Sequence, residues 1–131
     1  MHRPNFCDKI IQLDRNIRFA GIVNSRGEVI EGGFQHGVLP LLDGTDEQQM
    51  YLQSLSNITS LQHYSNRLGK VRWSITAHDK VTLLTFPFRD GILCMSTSSK
   101  ADPVKVRDKV MKAIRSSRAR KEARKRDKAK G

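Results

Sequence analysis

Cysteine is scarce in this chain: 131 residues hold two, Cys7 and Cys94. Two thiols so far apart make no disulfide framework and match no zinc-ligand spacing. They read as free, buried thiols of a reducing cytoplasm. No run approaches the ~20 apolar residues of a membrane span. Met1 to Asp8 lacks the apolar stretch of a secretion signal, so none is expected. Without such a signal, the glycosylation triplet Asn57-Ile58-Thr59 reads as a chance match.

Recognisable catalytic motifs are missing too. Gly32-Gly33-Phe34-Gln35-His36-Gly37 is glycine-rich but lacks the Gly-Lys-Ser/Thr ending of a phosphate loop. It reads as a bulged strand and its exit turn. No Gly-x-Ser-x-Gly elbow occurs. The histidines, His2, His36, His63 and His78, form no metal-ligand pattern with other ligating residues. His78 adjoins Asp79, but neighbours in a turn diverge, so a solvated turn outweighs a dyad. Cys94 lies in an apolar strand, where burial quiets a thiol. No cofactor, metal or catalytic residue is therefore expected.

Acidic residues are almost absent from the C-terminal end. Residues 1–99 are near neutral, with ten Lys/Arg against nine Asp/Glu. Residues 115–131 carry nine Lys/Arg against Glu122 and Asp127. Residues 100–131, with fourteen Lys/Arg against four Asp/Glu, carry almost all of the net charge of +11, which points to an anionic partner for the tail. Arg115, Arg118, Arg120, Lys121, Arg124, Lys125, Arg126, Lys128 and Lys130 are the candidate nucleic-acid or anion contacts. They lie all round a helical wheel, so sequence-indifferent contact with phosphates is expected. The tail has no aromatic to stack on a base and no apolar face to enter a membrane. With no face to pack, it should fray when free, helical or disordered. A purely solubilising role is the other reading.

The rest has ordinary globular composition, 37% hydrophobic, and one-domain length. Phe6, Ile10, Leu13 and Ile17 share one face of a short helix near Asn5–Arg15. Ile17–Val23 is apolar on both faces, as a central strand is. Asn24–Gly27 turns into a return strand, Glu28–Phe34, which Gly32 and Gly33 should bulge or draw close to a neighbour. Thr45 and Gln48 suit a capping box for a long helix, Asp46–Leu68, with Gly69 at its end. Val71–His78 alternates apolar with polar and should be an edge strand. Val81–Phe88 and Ile92–Thr97 form a hairpin about Arg89-Asp90-Gly91. Asp102-Pro103 starts a last helix with Val106, Val110 and Ile114 inward. Trp73, Phe86 and Phe88 read as core rather than a base-stacking platform.

The expected fold is α+β, in the order α-β-β-α-β-β-β-α: a five-stranded, mostly antiparallel sheet flanked by helices over residues 5–114, then the basic extension 115–131. The run from Ile17-Arg18-Phe19-Ala20-Gly21-Ile22-Val23 through Asn24-Ser25-Arg26-Gly27 to Glu28-Val29-Ile30 resembles the first hairpin of roadblock/LC7 domains, a superfamily akin to profilin and PAS-like sheets. The stretches Ile17–Ile22, Gly37–Leu42, Leu68–Val71, Asp79–Val81 and Thr85–Pro87 resemble a family of small uncharacterised archaeal proteins. The roadblock resemblance implies a non-enzymatic dimeric scaffold or regulator and brings no catalytic residue. Ser54, Ser65, Val71, Arg72, Trp73 and Ser74 are the candidate dimer contacts. The alternatives are a nucleic-acid-associated protein acting through its tail and a PAS-like sensor with an apolar pocket between sheet and helix.

Overall fold

The computed structural model describes residues 4–130. Helix α1 spans Phe6–Ile11, and Asn5 caps it. The Asn5 side chain accepts from the Asp8 N–H at 2.8 Å, and the Asn5 N–H donates back to the Asp8 carboxylate at 3.0 Å. Strands β1 (Ile17–Val23) and β2 (Val29–Phe34) follow as a hairpin. Helix α2 covers Gly44–Gln62 and α3 is a single turn, Ser65–Leu68. Strands β3 (Ser74–Ala77), β4 (Val81–Phe88) and β5 (Gly91–Ser98) lead to helix α4, Pro103–Lys130.

All five strands join one antiparallel sheet in the order β2-β1-β5-β4-β3. The two strands that are apolar on both faces, β1 and β5, are neighbours inside it, with β3 at an edge, as expected. On one face, Ala20 and Ile22 of β1, Leu93 and Met95 of β5, and Leu84, Phe86 and Phe88 of β4 meet α1 and α4. Val106, Val110 and Ile114 are the buried stripe of α4, and Cys7 and Ile10 that of α1. On the other face, Phe19, Val23, Ile92 and Cys94 meet Tyr51 and Ile58 of α2.

Several boundaries differ from the sequence expectation, each for a local reason. Helix α2 starts two residues early because Asp43, not Thr45, is its cap, accepting from the Asp46 N–H at 2.8 Å. Gln48 does not close a box; its amide donates to the Gly27 carbonyl at 2.8 Å. The helix stops at Gln62 rather than Leu68, since the Gln62 side chain accepts the Val71 N–H and ties the helix end to the incoming strand. β3 begins at Ser74 rather than Val71. Its next partners along β4 would be Phe86 and then Pro87, which has no N–H to offer a ladder. The bulge in the first hairpin falls at Ile30, where the register skips between Ile22↔Glu31 and Val23↔Val29. Gly32 supplies the close approach: at φ +102, any Cβ there would strike the Ala20 carbonyl. Helix α4 runs unbroken from Pro103 through the tail to Lys130, the helical one of the two forms expected there.

The stabilising weight of α4 lies in its first half. Ile114→Ala should cost about 2–5 kcal/mol through the cavity it leaves. A chain ending at Ser117 should unfold within about 0.5 kcal/mol of the full one, because every side chain described from Arg118 to Ala129 is exposed. Denaturant titrations compare the two, and circular dichroism of the shortened chain should show the loss of the helical tail signal.

Candidate functional site

Three surfaces are candidates: the thiols and the pocket beneath α2, the free sheet edge, and the basic arm. Cys7 and Cys94 are both buried and unpaired by disulfide. Burial first, and then the nearby Glu31 carboxylate, push the Cys7 thiol up to about 12. Cys94 is pushed up to about 11, again by burial, with Ser54 and Thr85 hydrogen bonds offsetting part of the rise. Neither resembles an activated nucleophile, whose pKa is lowered. Among the described residues, no group of three His, Cys, Asp or Glu is placed to hold a metal.

The pocket between the sheet and α2 has Phe19, Phe34, Met50, Tyr51 and Leu83 among its walls, with the loop residues Pro40–Leu42 at its mouth. Its volume is about 70 Å³, far below the ~300 Å³ at which metabolite pockets begin. Tyr51 donates to the Glu47 carboxylate inside it. Burial first, and then that bond, hold the phenol well above its ordinary value. Ser54 lines this pocket, half-buried and turned toward Cys94.

The dimer candidates otherwise gather where α3 gives way to β3. Ser65 opens α3, and Val71 packs half-buried against the α2-side core. Trp73 packs against the opposite core, with the Arg72 and Arg107 guanidiniums 4.8 and 4.6 Å from its ring centroid. Such a ring is held, not offered to a base. Phe86 is fully buried and Phe88 is 4% exposed, as the core reading required. Ser74 begins β3, the edge strand. Among the described residues, no backbone hydrogen bond outside the β3–β4 ladder engages Ser74–Ala77. The opposite edge differs: α1 is tied to β2 through the Cys7 N–H and the Glu31 carboxylate at 3.3 Å. Leu61, Tyr64 and Leu68, in the α2–α3 segment that precedes β3 in the chain, stand exposed, Leu68 to 81%.

The basic residues Arg115, Arg118, Arg120, Lys121, Arg124, Lys125, Arg126 and Lys128 line the exposed half of α4, which Lys130 ends. One cation outside this arm stands out. Arg89, in the β4–β5 turn, is the sole non-glycine among the described residues with positive φ, at 55°. That left-handed backbone costs an L-residue about 1–2 kcal/mol. Its guanidinium lies 5.0 Å from the Phe88 ring centroid, a contact contributing about 0.5–1 kcal/mol in return. Sequence reading passed over this residue because a turn Arg before Asp-Gly looks like ordinary solvent-facing hairpin chemistry.

A family model described as "Family of unknown function (DUF6659)" matches residues 4–124. A comparison with curated proteins finds no match. Solved structures do match the fold. A roadblock/LC7 domain from Streptomyces avermitilis superposes with a TM-score of 0.65 at 17% identity, covering 87% of this chain and 92% of that one. The gliding protein MglB from Thermus thermophilus gives 0.68 at 12% identity, over 83% and 80% of the two chains. Myxococcus xanthus MglB gives 0.66 at 15% identity, over 90% and 93%. At these identities the likeness establishes the fold, which is that of roadblock/LC7 domains.

The two thiols generate a direct expectation. At about pH 8, iodoacetamide should leave both unmodified in the native protein and alkylate both once guanidinium unfolds it, as read by mass spectrometry. The same shifts set an alkaline limit. A thiol whose pKa is raised on folding stabilises fully below its unfolded value of 9.0. That contribution is lost as pH climbs through the folded values of about 11 and 12. Stability should thus decline from about pH 9 upward, and Cys94→Ala, measured by denaturant titration, should flatten the decline.

Proposed function

Since the chain belongs to the DUF6659 family, a family of unknown function, and carries the roadblock/LC7 fold, we propose that it is a non-enzymatic scaffold or regulatory protein that works in the cytoplasm as a homodimer. The free edge of β3 is the observation that carries this reading. An uncovered strand presents unpaired N–H and C=O groups, and a two-fold axis beside it lets the same strand pair with its copy. β3 holds Ser, Ile, Thr and Ala, with none of the charges or prolines that blunt a solitary edge. The exposed Leu61, Tyr64 and Leu68 of the preceding α2–α3 segment offer further apolar area, and Ser65, Val71, Arg72, Trp73 and Ser74 frame the proposed joint. Ser54 faces the pocket instead. A solved structure of MglB is described as having a tetrameric arrangement, which is consistent with a fold that self-associates. The buried, unreactive thiols favour a scaffold over an enzyme, and the small volume beneath α2 does not favour a metabolite sensor.

Sedimentation equilibrium tests it. The full chain should be dimeric at micromolar concentration. Ser74→Lys with Thr76→Lys places like charges on the edge and should weaken the dimer at least roughly tenfold. The thermal transition of the variant monomer should persist, since both side chains lie at the surface edge. A wild-type chain that stays monomeric at high micromolar concentration would sink the reading.

A further inference from the structure

Helix α4 keeps one register along its whole length. Its sheet-facing stripe starts as Val106, Val110 and Ile114, all buried. At helical spacing the same stripe continues through Ser117, Lys121, Arg124 and Lys128. The body ends at about that point, so the second half of the stripe overhangs it. The cations do surround the tail, but one face of them looks back at the domain. A cleft of about 820 Å³ lies between, lined by Phe6, Lys9, Phe88 and Arg89 from the body and by Lys121 and Arg124 from the arm. Ala113, Ser116 and Ser117 form its small-residue wall, and no Asp or Glu lines it.

The floor of this cleft is aromatic. Phe6 stacks on Phe88 with centroids 4.7 Å apart and planes within 10°. The Arg89 guanidinium lies 5.0 Å from the Phe88 ring centroid, and Phe88 is only 4% exposed. Phe88 therefore has no open face for a base, which disfavours single-stranded nucleic acid as the occupant. Phosphates alone would be met as well by the outer side of the arm, where Arg115 and Arg126 project. What distinguishes the inner side is cationic walls over an apolar floor.

We propose that this cleft docks an acidic segment of a partner protein: a short amphipathic stretch whose carboxylates meet Lys9, Arg89, Lys121 and Arg124 while an apolar side chain rests against Phe6. The left-handed backbone at Arg89 supports the assignment. Asn or Gly would fill that turn position with less strain, yet the residue there carries a long cation that lies over Phe88 on the cleft floor. The residues lining this cleft are separate from those of the β3 edge, and docking here does not depend on the dimer.

Fluorescence anisotropy on the full chain tests it with three labelled probes of equal charge: an amphipathic Glu/Leu peptide, an oligoglutamate and a single-stranded oligonucleotide. The Glu/Leu peptide should bind best and should retain the larger share of its affinity as salt rises. Lys121→Glu with Arg124→Glu should weaken it roughly tenfold or more. Arg115→Glu with Arg126→Glu makes the same charge change on the outer face and should weaken it far less. Arg89→Asn, in the body, should also weaken it without lowering the unfolding midpoint. Equal losses from the inner and outer pairs would mean diffuse attraction to the arm and would overturn the proposal. So would an oligonucleotide that binds tightest and depends on the inner pair, since the cleft would then be a nucleic-acid surface. Equal binding of oligoglutamate and the Glu/Leu peptide would likewise overturn the role of the aromatic floor.

Discussion

The pairing of β1 with β5 is the constraint on which the rest of the molecule depends. Ile17–Val23 and Gly91–Ser98 lie side by side in the sheet, and nearly every residue of both is buried or half-buried. A strand apolar on both faces can be satisfied only if each face is covered. Helices α1 and α4 cover one face and α2 the other, so the three-layer arrangement follows from these two strands. The chain reaches this pairing across more than sixty intervening residues. Those residues supply α2 and the β3–β4 arm as the means of return.

The two faces are not covered equally. The α1/α4 side buries thirteen residues in one cluster, the α2 side six. The thinner side is the one covered by α2, where Leu61, Tyr64 and Leu68 of the α2–α3 segment remain exposed, and the sheet also has an open strand edge at β3. In a fold that closes one side so fully, a half-covered second side beside a bare edge is the natural place for another chain to complete the layer. That asymmetry, more than any individual side chain, underlies the proposed homodimer.

Charge is distributed by the same logic. The body is near neutral, with almost equal numbers of acids and bases. From Arg118 to Ala129 every described side chain of the arm is exposed, so little limits its cations except their mutual repulsion. As a continuous helix it carries the core-facing register outward and turns an apolar stripe into a basic one. The aromatic end of the sheet, with Phe6, Phe88 and Arg89, then becomes the opposite wall of a cleft.

The alternation of Trp73, Ile75 and Ala77, the double-sided apolarity of β1 and β5, and the Asp102-Pro103 start of α4 are local signals. They were enough to give element order, sheet centre and edge, because periodicity and capping act within a few residues. Boundaries escaped where a distant partner decided them: Gln62 reaching the Val71 N–H ended α2, and Pro87 across the ladder shortened β3. The basic arm was legible as composition, and its exposure follows from the lack of apolar residues after Ile114. Its orientation was not legible, for a helical wheel shows which residues share a face but not what that face overlooks. The cleft beside Arg89 joins residues 6, 89 and 124, far apart in the chain. Only the packing of α1 and α4 on one side of the sheet brings them together.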